Sequence, residues 1–350
     1  MSVVAVNGYV ERQSNFEALR IVCALLIVFV HANFWTLGRP TWEMLSLQPA
    51  ATLLRMILQF VCAPATYAFI LISGYFGIRI KLKSVVNLLF MLVFWKGVLI
   101  VKQGCFHGWH LSLLRDINPF IGWFIPAYLA LLCFVPALNV FAESLDRNVL
   151  RKYLTMLLAA VIVLDCGQFV DCFKGGYSTL ALMSVYLLGR YLSKPPPHTH
   201  NQAHTTLKFF DSATGAAVLF FGVVLLWVSA YCIILFLFRN HERYCAVLLK
   251  SLCMYTSPVA LVGSLLLFLA FKRIKFRAMW VNWLALSAFP IIGYHLFWGY
   301  RDQVRSLYAQ YDGLQCVGVI IGYGLIVSLG IVAFDQIRIF AWRRLQRKFF

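Results

Sequence analysis

The sequence predicts an all-α, polytopic membrane protein of about ten transmembrane helices with both termini cytoplasmic. Three observations carry this. Of the 350 residues, 61% are hydrophobic and only 13% charged, against about 25% charged in ordinary soluble domains. Apolar runs of roughly 17 or more residues, long enough to cross a ~30 Å hydrocarbon core, recur from end to end. The formal charge of +18, from 31 Lys+Arg against 13 Asp+Glu, is concentrated in alternate segments between those runs. No stretch is left for an independent soluble core, so residues 1–350 are read as a single membrane domain.

The first fifteen residues are mixed and polar, without a short apolar core and a small-residue cleavage site, which predicts that the first run is retained. The apolar windows fall at about 16–36, 52–77, 84–102, 120–141, 153–170, 177–192, 213–238, 246–270, 282–299 and 314–337. The fifth, sixth and ninth are short or interrupted. Pro64, Pro126, Pro136, Pro258 and Pro290 lie inside runs, where a missing N–H kinks a helix and opens room for a cavity or merely shapes packing. Segments around residues 12, 79–83, 147–152, 190–208, 272–277 and 338–348 hold 19 Lys/Arg, and the alternate segments hold 7. By the positive-inside rule the first set, with both termini, is cytoplasmic. The charge is then a collar at the lipid surface and calls for no nucleic-acid partner.

A cytoplasmic linker at about 193–212 carries Pro195 to Pro197 and His198, His200 and His204. No Cys or carboxylate stands at ligand spacing, so no metal site is predicted. Most of the ten cysteines sit in apolar runs as small hydrophobes. Cys166 and Cys172 flank an outer turn and are read as two thiols in preference to a disulfide. Repeats, glycine-rich phosphate loops and nucleophile elbows are absent.

Ionisable groups in hydrocarbon cost at least ~2.5 kcal/mol on insertion scales and so mark function or a partner. In the first run Arg20 precedes His31 by eleven residues, a rise of about 16 Å and a rotation of about 20° beyond three full turns. One helical face therefore carries a permanent cation able to fork a phosphate and an imidazole able to act as a base near neutral pH. The competing readings are a snorkelling Arg20 paired with Glu17 and a core His31 bonded to a neighbouring helix.

The stretch from Asn15 through Arg20 to His31 resembles the opening of the acyltransferase family 3 integral membrane acyltransferases, whose first helix carries arginine, ten residues, then histidine. Ser73, Gly74, Tyr75 resembles the family's Ser-Gly-Tyr segment, and Trp123 to Leu129 with Pro136 and Asn139 resembles its Trp-Phe…Tyr-Leu…Pro…Asn helix. Ser287 to His295 is similar to its last motif but departs from it at Pro290 and in the order Gly293, Tyr294, His295. The resemblance implies acyl transfer, usually of acetyl, from cytoplasmic acyl-CoA to a hydroxyl of an extracytoplasmic or lipid-linked glycan, in the bacterial inner membrane, with acyl-CoA as donor substrate and no resident cofactor. Arg20 with Ser73 is then expected to hold the CoA phosphates, and Arg79, Lys81 and Lys83 either join them or serve only as positive-inside flanks. His31 is the base and Trp123, Tyr128 and His295 line the acceptor. Asp165 and His295 reach the depth of His31. Asp165 orients the imidazole, as carboxylates do in hydrolytic triads, or lies at the interface. Lys96 stabilises an oxyanion or snorkels. The rival from a different class is a secondary transporter, since buried ionisable groups and broken helices also describe carriers.

Overall fold

The computed structural model describes residues 12–110, 122–169, 171–195, 212–311 and 313–349. Among these the chain is helical and contains no strand. Seven helical segments are long and apolar enough to cross a membrane: Ser14–Leu37, Pro49–Phe76, Leu82–Phe106, Phe124–Ser144, Ala213–Leu237, Glu242–Arg273 and Gln315–Lys348. Most of the predicted linker, and residues 111–121, lie outside the described residues.

The first segment is α1 (Ser14–Ala32), followed by the turns α2 (Phe34–Leu37) and α3 (Trp42–Leu47). The second is broken into α4 (Pro49–Cys62) and α5 (Ala65–Phe76), the break falling at Pro64, which lacks the N–H needed to continue the ladder. Next come α6 (Leu82–His107), α7 (Phe124–Ser144) and α8 (Arg147–Val161), the last passing into a single π turn at Ile162–Cys166. Then follow α9 (Thr179–Ser193), α10 (Ala213–Leu237), α11 (Glu242–Cys253) and α12 (Pro258–Arg273). Ser257 caps α12 by accepting from the Ala260 N–H, and Pro258 occupies its first turn, where no donor is required. The region predicted as a ninth run is two short helices, α13 (Met279–Leu284) and α14 (Ala288–Tyr294), interleaved with 3-10 turns. The chain ends in α15 (Tyr300–Gln310) and α16 (Gln315–Phe349), the latter continuing well past the apolar window expected to end near 337.

The three weak windows are thus helical but short. At 15 residues α9 rises only about 22 Å. It is held by protein: Leu182, Val185, Tyr186 and Leu187 are buried, and α9 packs closely on α5. A Cβ on Gly74 would stand 2.2 Å from the Tyr186 carbonyl oxygen, and one on Gly189 would stand 2.8 Å from the Gly74 Cα. Glycine at both places lets the two backbones touch, which gives a packing reason for the glycine of the Ser73-Gly74-Tyr75 segment. Asn139, from the α7 motif, accepts from the Tyr186 hydroxyl at 2.8 Å and donates to the Ile78 carbonyl at 3.0 Å, tying α7 and α9 to the turn after α5.

Helix α1 is the central post. It packs against α4, α5, α12, α13, α14 and α16, and Leu19, Cys23, Ala24, Ile27 and Val28 are buried. Peripheral helices are apolar all round. In α10 Phe220, Val224, Trp227 and Tyr231 are buried while Phe221, Leu225, Leu226 and Ile233 are exposed, the distribution of a helix with protein on one side and hydrocarbon on the other.

Candidate functional site

Helix α1 is unbroken from Arg20 to His31, so the two side chains keep the separation of about 16 Å and the shared face expected from helix geometry. At the far end of α1 the chain reverses around buried polar groups. Arg55 is 3% exposed; its Nε donates to Asn33 Oδ1 at 3.1 Å and its Nη2 to the Gly38 carbonyl at 2.7 Å, while Asn33 Nδ2 returns a bond to the Arg55 carbonyl. Arg55 anchors the turn that follows His31.

Across from His31 stands His295, at the C-cap of α14. His31 Nδ1 lies 2.7 Å from the Ile27 carbonyl, His295 Nδ1 lies 2.9 Å from the Ile291 carbonyl, and His295 Nε2 lies 3.2 Å from His31 Nδ1. A carbonyl can only accept, so each Nδ1 must carry the proton. The His31 Nδ1–H is then shared between the Ile27 carbonyl and the lone pair of His295 Nε2. The remaining nitrogen, His31 Nε2, keeps its lone pair. The Tyr300 ring stands edge-on to His295 at 5.8 Å, and its hydroxyl bonds the Val28 carbonyl at 3.1 Å. His295 is 1% exposed and His31 is partly accessible.

The two imidazoles share a narrow cavity with Thr66, Trp123, Phe124 and Tyr255, its free volume only about 30 Å³. Arg20 faces a different, larger cleft of about 390 Å³, lined also by Arg12, Ser73, Tyr128 and Phe289. Between them lies a layer of rings: Phe124 contacts Phe69 at 6.2 Å, Tyr128 at 5.7 Å and Phe289 at 6.1 Å. The predicted residues thus divide into a histidine cavity with Trp123 and a basic cleft with Arg20, Ser73 and Tyr128.

Arg20 is also half of the ion pair weighed against its functional reading: Nη1 donates to Glu17 Oε1 at 2.6 Å, and Arg12 Nη1 lies 4.0 Å from the same oxygen. Two guanidinium groups against one carboxylate leave the cleft net positive. Arg79 lines an adjoining, mainly apolar cleft of about 580 Å³ that shares Ile78, Tyr128, Leu286 and Phe289 with the first. Lys81 and Lys83 are exposed at the start of α6 and line neither cleft.

The carboxylate expected to orient His31 is elsewhere. Asp165 is buried in the π turn, its Oδ1 accepting from the Gly175 N–H at 3.1 Å and its Oδ2 from Thr256 Oγ1 at 2.6 Å. It bonds a loop to the α11–α12 break and makes no hydrogen bond to His31; His295 occupies that place. Lys96 hydrogen-bonds neither histidine. Cys166 and Cys172 are unpaired, and among the described residues no group of three or more His, Cys, Asp or Glu is placed to hold a metal.

A buried network was missed by sequence reasoning. Asp335, fully buried, accepts Arg338 Nε at 2.6 Å and Nη2 at 2.8 Å, Trp95 Nε1 at 3.3 Å and Ser287 Oγ at 2.8 Å. Trp95 stacks on Tyr294 at 4.9 Å, so the network braces both ends of α14, the helix that presents His295. The available signal was an acid inside the last apolar run, three residues before an arginine at its edge. On the open side of His31, Trp35 meets the imidazole edge-on at 5.2 Å and Arg301 lies over Trp35 at 4.3 Å.

No family model, no curated protein and no solved structure matches the chain.

Proposed function

We propose that the chain is a bacterial inner-membrane O-acyltransferase of the acyltransferase family 3 kind, moving an acyl group, acetyl by preference, from cytoplasmic acyl-CoA to a hydroxyl of an extracytoplasmic or lipid-linked glycan. In this reading the three short helical regions complete a ten-span topology and the Ser14 end of α1 faces the cytoplasm, as the 19-to-7 division of Lys/Arg implies. The observation that carries it is the tautomer of His31: with Nδ1–H held by the Ile27 carbonyl and His295, the free lone pair belongs to Nε2, a general base on the same face as Arg20. CoA phosphates lie against Arg20 and Arg12. The pantetheine arm extends along α1, about its own length, and brings the thioester beside His31. His31 Nε2 takes the acceptor hydroxyl's proton as that oxygen bonds the thioester carbon. The tetrahedral adduct collapses with cleavage of C–S, and the thiolate takes the proton back from the imidazolium, releasing CoA thiol and the ester.

The test uses membranes carrying the protein, radiolabelled acetyl-CoA and a surface-glycan extract. Label is expected to pass to glycan with the unaltered chain and not with His31→Ala, while Arg20→Gln raises the acetyl-CoA requirement. Normal acylation by His31→Ala overturns the assignment. The helix breaks at Pro64 and Pro258 favour a second reading, a carrier; movement of glycan across the membrane without label transfer supports that instead.

A further inference from the structure

Resting on that reading, we infer that Arg301 and Trp35 form an acceptor subsite for an oxyanion, a carboxylate or a phosphate carried by the glycan beside the hydroxyl to be acylated. Of the other cations at this end of α1, Arg39 is exposed and three are engaged. Arg305 Nε donates to the Thr36 carbonyl at 3.3 Å and its Nη1 lies 4.0 Å from Asp302. Lys102 Nζ donates to the Phe297 carbonyl at 2.6 Å, and Arg55 is locked into the Asn33 turn. Arg301 has neither an ion pair nor a hydrogen bond among the described residues, and its Nε is buried with no acceptor.

What holds Arg301 is the face of Trp35, 4.3 Å from the guanidinium carbon. Stacking fixes the plane of the group without consuming any of its five N–H donors. The two Nη groups, side by side, match a carboxylate or phosphate, with two parallel charge-assisted bonds available. The placement relative to the base is specific. Trp35 is 52% exposed and stands 5.2 Å from the His31 ring, with Arg301 over its face. A sugar whose hydroxyl faces His31 Nε2 lays its ring beside Trp35 and its acidic substituent beside Arg301. The neutral part of recognition comes from the aromatic surface, and selection for acidic glycans from the Nη donors of the guanidinium.

Binding to the purified protein in nanodiscs, without acetyl-CoA, tests this apart from catalysis. The probes are a galacturonate trisaccharide, glucose 1-phosphate and maltotriose, followed by isothermal titration. At least one charged probe is expected to bind tenfold or more tightly than maltotriose. Arg301→Gln removes that preference, Arg301→Lys keeps part of it, and maltotriose binding is unchanged in both. The charged probe whose affinity depends on Arg301 identifies carboxylate or phosphate as the source. Equal binding of all three, binding of none, or a preference that survives Arg301→Gln overturns the subsite. Anion preference in a protein that transfers no label retains the subsite and sinks the enzyme reading; label transfer without anion preference does the reverse.

Discussion

The sharpest consequence of the histidine pair concerns His295→Leu. In the proposed mechanism His295 never meets the substrate proton; it accepts from His31 Nδ1–H and acts as a positioning residue. The substitution fills the buried site with a side chain of similar bulk. It leaves the Ile291 carbonyl satisfied, because the His295 backbone N–H also donates there. His31 loses one of two acceptors at Nδ1 and keeps the Ile27 carbonyl at 2.7 Å. Its tautomer therefore stays correct, and the ~10⁴-fold loss that follows tautomer inversion in a hydrolytic triad is not expected. What is lost is one net hydrogen bond, about 0.5–1.5 kcal/mol, or a fall of roughly 2- to 12-fold in rate. His31→Ala, by contrast, removes the base, a factor of about 10² to 10⁴. His295→Gln, whose amide oxygen can accept in place of Nε2, should recover most of the rate. The assay is the initial rate of label transfer at saturating acetyl-CoA, normalised to folded protein recovered by size-exclusion chromatography. Loss of activity in His295→Leu as deep as in His31→Ala refutes the reasoning, since it makes His295 a reacting group. So does full activity in His295→Leu, since the contact then orients nothing.

Two further predictions concern stability. Asp335→Leu strands Arg338, 4% exposed, with only Asn87 at 3.4 Å, and should cost about 3–5 kcal/mol, whereas Asp335→Leu with Arg338→Met should regain most of it; thermal unfolding in detergent of the two single variants and the double variant reads this coupling, and a double variant as weak as Asp335→Leu contradicts it. Gly74→Ala should push α5 off α9, because its Cβ would meet the Tyr186 carbonyl at 2.2 Å, while Gly222→Ala, with nothing within 4 Å, should be neutral or stabilising by up to about 1 kcal/mol; comparable unfolding temperatures for the two variants contradict the close approach.

The fold was legible wherever one physical signal dominated. Hydropathy alone marks the seven long segments, and two breaks fall at Pro64 and just before Pro258, whereas Pro136 sits inside α7 without breaking it. Pro126 does not break α7, because it falls in the first turn, where no donor is needed. The ninth window was read as one run, since composition reports apolarity and not continuity; its ladder is interrupted by 3-10 turns on either side of α14. In the site, Arg20 and His31 were legible because a single helix fixes their spacing. The His31–His295 contact joins residues 264 apart, and sequence depth supplied only a common height, which Asp165 satisfied equally well. Arg338 was legible as a charge but was absorbed into the basic collar, because an arginine at the end of an apolar run meets the positive-inside rule whether it faces lipid headgroups or a buried aspartate.

The same helix that makes the Arg20–His31 pair legible also limits how the protein can work. Because α1 is unbroken and packed between its neighbours, adjustment between the basic cleft and the base falls to the layer between the two cavities. That layer is Phe69, Phe124, Tyr128 and Phe289, and Phe124 contacts the other three. With about 30 Å³ free beside His31, the cavity holds roughly one water and neither a thioester nor a sugar ring. For the proposed donor arm to reach the base, this layer would have to open, and Phe124 is the ring that the other three touch. It sits at the first residue of α7, directly after Trp123 of the histidine cavity. In the proposed reaction the start of α7 is thus the point at which acceptor binding beside His31 and donor passage from Arg20 would act on the same few residues, which would couple the two substrates through Phe124.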